Sequence, residues 1–512
     1  MLGKCCSTAL LGIDAHRVEI EVHATSHGEM QSMAIVGLPD ASVRESRDRI
    51  RAALTSCGLT MPYGETIVNL APADLKKEGS GFDLAIALAI LAAQGHADSE
   101  FLARCAVTGE LALDGKVRPV RGILPTAICV SNQPDIEALL VPRANAREAA
   151  LAAGHIPVIA IDNLLEAQKY INERHLPPFH ADPVSTTATS GNNAPDFEEV
   201  KGQFLARRAM EIAAAGGHNA LMIGPPGTGK SMIARRVATI LPPMTLAETL
   251  ETSRIHSIMG LLNNEQPLLT SRPFRAPHHT ISDVGLVGGR KSPMPGEISL
   301  AHNGVLFLDE FPEFKRNVLE VLRQPLEDGF ITISRAAGSC VFPARFMLIA
   351  AMNPCPCGMG DASFGCRCKP DEKKRYLNKI SGPLLDRIDL HVDVLHLTED
   401  ELLAAPTGES SAVIRARVVA ARKIQQDRFA GSAIYCNAQM GSRELQKFCR
   451  LSPKGNSILR QAINFFKLSP RAYDRILKVA RTIADLAGTE NIAEEHLYEA
   501  VNYRGADRTL HI

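Results

Sequence analysis

Apolar and polar positions alternate from Val18 to Val22 in the two-residue rhythm of a strand with one buried face. Between Ala41 and Cys57 the rhythm lengthens, and Val43, Ile50, Leu54 and Cys57 fall on one side of a helix. Arg44, Arg47, Arg49 and Arg51 fall on the other side and read as a solvated basic face. Glu65 to Leu70 alternates again, and the unbroken apolar run Leu84 to Ala93 predicts a helix buried all round, starting near Asp83. Residues 181–195, ADPVSTTATSGNNAP, have the Ser, Thr, Asn and Pro content of an exposed connector. Beyond it, helix and strand patterns alternate through residues 196–394, as an α/β sheet requires. From residue 395 onward helical spacing dominates, most clearly over residues 414–428 and 471–487. The pattern predicts a multidomain α/β chain with an α+β domain over residues 1–180, a linker over 181–195, an α/β core over 196–394 and a helical domain over 395–512.

Composition narrows the function classes. The 512 residues carry 56 basic and 56 acidic side chains, a net charge of zero that argues against a generic coat for polyanions but allows a local basic patch. Hydrophobic residues at 45% and charged residues at 22% exclude a disordered or fibrous chain. Trp is absent and aromatics are 5%, so no aromatic stacking platform is expected. The longest apolar run is about half a membrane span, which predicts no membrane partner. The break at Asp14 and His16 argues against a cleaved leader, and the chain is expected in the cytoplasm.

Candidate chemistry lies at three strand ends. The apolar run Ala220 to Ile223 leads into Gly224-Pro225-Pro226-Gly227-Thr228-Gly229-Lys230-Ser231. Glycines at these places let backbone N–H groups turn around phosphate oxygens, and the following helix points its positive end at the same anion. Lys230 is expected to reach the β- and γ-phosphates of ATP, and Ser231 to ligate Mg²⁺. Gly304 to Leu308 is a second buried strand, ending in Asp309-Glu310. Asp309 is expected to hold the Mg²⁺ shell and Glu310 to orient and deprotonate the attacking water. A third strand, Arg345 to Ala351, ends at Met352-Asn353-Pro354, where an amide would face the γ-phosphate. In Ile380-Ser381-Gly382-Pro383-Leu384-Leu385-Asp386-Arg387-Ile388-Asp389, Arg387 is either a residue for a neighbouring subunit's phosphate or half of an Arg387–Asp389 surface pair.

Four cysteines form a C-x-C-x₈-C-x-C array, Cys355, Cys357, Cys366 and Cys368. Four thiolates can close a tetrahedral Zn²⁺ shell and leave no place for catalysis at the metal. The competing readings are two local disulfides, disfavoured by the C-x-C geometry and the compartment, or free thiols in a loop.

The order of phosphate loop, LFLDE, AAMNP and SGPLLDRID resembles the AAA+ ATPases, specifically the magnesium-chelatase-like ComM/YifB family, over nearly the whole chain. The resemblance implies that Asn353 is sensor 1, Arg387 a trans-acting arginine finger (with Arg345 and Arg375 as competitors) and Arg471 the sensor 2 arginine of a helical lid. It also implies a homo-hexameric ring, and NPCPCG followed by a C-x-C pair supports zinc. Leu326 to Arg335 with Cys340 to Pro343 is similar to the presensor-1 hairpin, with Arg335 as its exposed cation. Ser271 to Thr280 and Gly288-Gly289-Arg290-Lys291 resemble the helix-2 insert, and His278 and His279 within it read as structural or pore-loop residues. No nearby Cys or Glu in the sequence completes a metal set around those histidines.

Residues 1 to about 175 resemble the Lon-type protease fold, through Lys77 to Asp83 and Thr108 to Val117. The nucleophile's place is taken by Gly81 and the lysine's by Leu124, while Ser80 and Lys116 are displaced, so no peptidase activity is expected. The resemblance implies a motor acting on single-stranded or branched DNA, a helicase or branch-migration factor in natural transformation or recombination. Alternatives are a magnesium-chelatase-type motor subunit remodelling a protein partner, and an ATP-dependent unfoldase or protease.

Overall fold

The computed structural model describes residues 2–25, 31–182, 195–262, 265–289, 293–335, 338–360, 365–403, 408–432, 434–466 and 468–504. The connector expected at residues 181–195 lies almost wholly outside the described residues.

The first region contains β1 (Leu2–Leu11), β2 (Asp14–Ala24), β3 (Gln31–Val36), α1 (Ala41–Ser56), β4 (Gly64–Ala71), α2 (Asp83–Ala93), β5 (Cys105–Val107), α3 (Ile123–Ser131), β6 (Ala138–Pro142) and β7 (Val158–Ile161). Its strands form one mixed sheet in the order β3-β4-β2-β1-β5-β6-β7. Helix α1 starts where the Asp40 side chain caps the Val43 N–H at 2.8 Å, and it buries Val43, Ile50 and Leu54 as their spacing predicts. Every residue of α2 is buried, because the helix is sandwiched between the sheet and other elements of the same core.

One expectation about α1 needs correction. Arg49 is not on a solvated face: its Nε lies 2.7 Å from Asp83 Oδ2, and the Asp83 side chain is fully buried. Burial pushes the Asp83 carboxyl above its ordinary value, opposed by Arg49, Ser46 and the Leu111 N–H. Periodicity separated Arg49 from the apolar face but gave no sign that α2 brings a carboxylate to it.

The second region contains α4 (Phe204–Gly216), β8 (Ala220–Ile223), α5 (Lys230–Ile240), α6 (Leu246–Ile258), β9 (Phe274–Arg275), β10 (Val305–Leu308), β11 (Phe330–Arg335), β12 (Gly338–Pro343), β13 (Met347–Met352) and β14 (Leu390–Asp393). Strands β9-β10-β13-β8-β14 make a five-stranded parallel sheet, while β11 and β12 form a separate antiparallel hairpin. Alternate strand residues feed two cores. Ala220, Met222, Phe307 and Ile349 join one, while Leu221, Ile223, Leu306 and Leu348 join the other. Each large aliphatic side chain so buried contributes roughly 1.5–3 kcal/mol.

The helices α7 (Ser411–Arg428), α8 (Pro453–Phe466), α9 (Pro470–Leu486) and α10 (Glu494–Asn502) follow. Their apolar faces share the first of those two cores, through Val418, Leu459, Ile476, Ile483 and Leu497. The N-terminal region docks on α6. Ser257 Oγ donates to Glu148 Oε1 at 2.5 Å, the Gly122 N–H reaches Ser257 O at 3.1 Å, and Arg254 pairs with Asp14. At the β1–β2 tip, Ile13 enters the second of the two sheet cores, and a Cβ on Gly12 would stand 3.3 Å from Cys340 of the hairpin.

Candidate functional site

The parallel order places the C-terminal ends of β10, β13 and β8 side by side, and each ends in a polar group the sequence singled out. Gly224 leaves β8 so close to its neighbour that a Cβ would be 2.1 Å from the Val394 carbonyl oxygen. Gly227 and Gly229 turn the loop at φ +78° and +88°, and α5 begins at Lys230. Between them Pro225, Pro226 and Thr228 complete the loop, with the Thr228 hydroxyl on Pro225 O at 2.9 Å.

Lys230 Nζ donates to Gly224 O and Pro225 O, both at 2.7 Å, and lies 3.4 Å from Asn353 Oδ1. Burial pulls its pKa below the ordinary lysine value, and Asp309 opposes that shift. An ammonium satisfied mainly by neutral carbonyls is ready to exchange them for phosphate oxygens. Ser231 Oγ is 2.5 Å from Asp309 Oδ2, so the hydroxyl and carboxylate that fit a magnesium shell already touch.

Glu310 follows with φ +51°, a left-handed backbone that is costly for a residue with a Cβ. Its carboxylate stands 58% exposed, 3.0 Å from His279 Nδ1. His279 in turn stacks near His278, with ring centroids 4.1 Å apart, and meets Phe314 edge-on at 6.4 Å. The sequence reading named His279 without this partner. The usable signal was that the histidines follow β9, the strand beside β10.

Arg387 and Arg471 are not in this group. The Arg387 side chain is 7% exposed, pairs with Glu327, and gives Nη1 to Pro383 O at 2.7 Å. Arg471 reaches the same Glu327 at 3.8 Å. Asp389 does not partner Arg387. It takes Arg475 and lies 3.5 Å from His218, and although burial works against ionisation, the Arg475 guanidinium and the His218 contact hold its carboxyl well below the usual range. Of the competing arginines, Arg345 lies 5.8 Å over the Tyr435 ring and Arg375 is exposed on the helix Pro370–Leu377.

The four cysteine sulfurs converge within 4.8 Å of one another. Cys355 lies 3.3 Å from Cys357 and 3.7 Å from Cys366, and Cys357 lies 3.6 Å from Cys366. A tetrahedral zinc thiolate shell has sulfur–sulfur edges of about 3.8 Å, whereas a disulfide needs about 2.05 Å. All four, Cys368 included, are free thiols that fit a metal. The Gly360 N–H donates to Cys355 Sγ at 3.2 Å, as amides do around metal thiolates. This loop abuts the phosphate loop, for a Cβ on Gly358 would be 2.8 Å from Pro226 Cδ.

In the N-terminal region Ser80 donates to Glu110, and Lys116 pairs with Asp114 at 3.2 Å on the surface. Thr108 packs where a side chain at Gly81 would be, and Leu124 is buried. The β11–β12 hairpin pairs from Phe330↔Pro343 to Arg335↔Gly338. The Arg335 side chain, Arg290 and Lys291 lie outside the described residues.

Comparison with known proteins follows this geometry. Residues 196–402 match the family described as magnesium chelatase, subunit ChlI, residues 20–145 match subunit ChlI of Mg-chelatase, and residues 408–504 match the ChlI C-terminal family. The chain is 45% identical over 509 residues to the competence protein ComM of Haemophilus influenzae, covering 98% of this chain and 97% of that protein. It is 43% identical over 506 residues to the YifB protein of Salmonella typhimurium, with 98% and 97% covered. A magnesium-chelatase subunit ChlI from Euglena gracilis is 24% identical over 204 residues, covering 36% of this chain and 52% of the subunit. Among the described residues no helix is long and apolar enough to cross a membrane. With a parallel sheet that carries the phosphate loop and full-length identity at this level, the chain belongs to the magnesium-chelatase-like ComM/YifB family of AAA+ ATPases.

Proposed function

We propose that this protein hydrolyses ATP as a ring motor on DNA, serving natural transformation or recombination as a helicase or branch-migration factor in the cytoplasm. The observation that carries ATP hydrolysis is the convergence of Lys230, Ser231, Asp309 and Asn353 at adjacent strand ends. In this reading Lys230 holds the β- and γ-phosphates, and Ser231 with Asp309 holds Mg²⁺, which would neutralise charge on those oxygens. Glu310 takes a proton from water as the water oxygen bonds to the γ-phosphorus and ADP departs. Asn353 aligns that water and the γ-phosphate.

Arg387 lies with Glu327, away from Lys230, as a residue meant for a neighbouring subunit's nucleotide would, and Arg471, the sensor 2 candidate, reaches the same carboxylate. A homo-hexamer supplies that neighbour, and release from Glu327 would accompany assembly. The cysteine loop, holding Zn²⁺, braces Pro226. The N-terminal region serves as an inactive Lon-like platform and the helices from α7 to α10 as a lid.

The assignment to DNA rests on the full-length similarity to a competence protein. A second reading, a chelatase-type motor acting on a protein partner, draws on the family matches to ChlI. Because the family matched by residues 20–145 is also described as a chelatase subunit, the first domain does not separate the two. The ATPase rate with and without single-stranded and forked DNA, across a salt series, does. Stimulation that fades as salt rises is expected, since bound phosphates release counterions. A rate indifferent to DNA, with no binding to forks at low salt, moves the substrate to protein.

A further inference from the structure

Between the ATPase sheet and the C-terminal helices lies a crevice of about 550 Å³. Asn219, Gly304, Met347 and Asp389, at the N-terminal ends of four parallel strands, form one wall. It therefore sits at the sheet edge opposite Lys230, which follows the C-terminal end of β8. Five cations line it: Arg272, Arg345, Arg422, Arg475 and Lys478.

Most carboxylates in the crevice are already engaged. Glu248 takes Arg272 at 2.9 and 3.0 Å, Asp389 takes Arg475, and Glu327 takes Arg387 from outside the lining. The lining thus holds five cations and four carboxylates, and Arg345, Arg422 and Lys478 stand beside Asp328 without a paired carboxylate, with Asp474 and Glu251 acting on Lys478 and Arg345 from farther off. Buried Arg422 gives Nε and Nη2 only to the carbonyls of Ala215 and Ala214, at 3.0 and 2.9 Å. Lys478 Nζ gives to Ala438 O at 2.9 Å. Among the described residues none of the three has an ion-pair partner. Burial lowers the pKa of both Arg422 and Lys478, opposed by Glu248 at Arg422 and by Asp389 and Asp474 at Lys478. A purely structural role in tying α7 to α4 would explain the carbonyl contacts of Arg422, but not an open space of ligand size beside cations that no carboxylate pairs directly.

We propose that this crevice binds a phosphate-bearing ligand of nucleotide size, at a site separate from Lys230. Arg422 and Lys478 hold the phosphate, and the remainder lies against Tyr435 and Arg345. The ligand bridges the sheet to α7 and α9, so its presence ties the C-terminal helices to the ATPase core. The phosphate comes from a free nucleotide or from a nucleic-acid strand, which share this chemistry.

The test uses the full chain with Lys230→Ala, which removes the phosphate-loop lysine, titrated with inorganic pyrophosphate by calorimetry at low salt. One site per chain is expected. Adding Lys478→Met with Arg345→Gln should weaken it at least tenfold while the ligand-free melting temperature stays put. Crystals of the unsubstituted protein soaked in tungstate should show the anion between Arg422 and Lys478. Displacement of pyrophosphate by AMP but not by a thymidylate 12-mer assigns a free nucleotide, and displacement by the 12-mer assigns a strand. No pyrophosphate binding, binding untouched by the two substitutions, or tungstate only outside the crevice overturns the proposal.

Discussion

His279 Nδ1 stands 3.0 Å from Glu310 Oε2, so the carboxylate assigned to water activation touches a histidine in the turn that follows β9. Because Glu310 is largely exposed, that contact contributes no more than about 1 kcal/mol. His279→Ala should therefore raise DNA-independent ATPase by at most about fivefold, with stimulation by DNA reduced in proportion. An unchanged basal rate would make the contact idle.

Lys230→Ala removes a charge-assisted contact to phosphate and should weaken ATP binding by roughly 10–150-fold, from about 1.5–3 kcal/mol. Glu310→Gln keeps the shape and loses the base, so it should bind ATP, fail to turn it over and accumulate assembled rings. Equilibrium dialysis and light scattering distinguish the two variants. Turnover of Glu310→Gln at the unsubstituted rate would remove the base role.

Zinc content should be close to one per chain. Chelation should weaken ATP binding several-fold before the protein unfolds, because Gly358 packs on Pro226. Cys357→Ser should leave the chain aggregating or unfolded, since structural zinc contributes about 10–16 kcal/mol of apparent binding energy. Metal well below one per chain, in protein that still binds ATP, would remove the site.

Arg49→Ala leaves Asp83 buried without its cation and should destabilise the N-terminal region by about 3–5 kcal/mol. Thermal or urea unfolding measures it. A loss under about 1 kcal/mol would mean that burial lets Asp83 take up a proton once Arg49 is gone.

The legible parts of this molecule were contiguous strings. Ala220 to Ser231 and Gly304 to Glu310 each join a buried strand to a candidate site at its end, so one stretch carries both the fold signal and the candidate chemistry. The cysteines lie close in sequence and converge in space for the same reason. Arg49 with Asp83, His279 with Glu310, and Arg387 with Arg471 on Glu327 were not legible, because each pairing is set by packing of elements remote in the chain. The alternative Arg387–Asp389 pair failed on the same ground, since Asp389 turns to Arg475 on α9.

The seam around α6 makes the covalent connection between the two halves redundant. Ile13 is embedded beside the hairpin, and Glu148, Gly122 and Asp14 all grip α6. A protease that severs the backbone between residues 182 and 195 should yield two fragments that still co-elute. The β11–β12 hairpin meets the β1–β2 turn directly, at Cys340 and Gly12, with no need of the connecting chain.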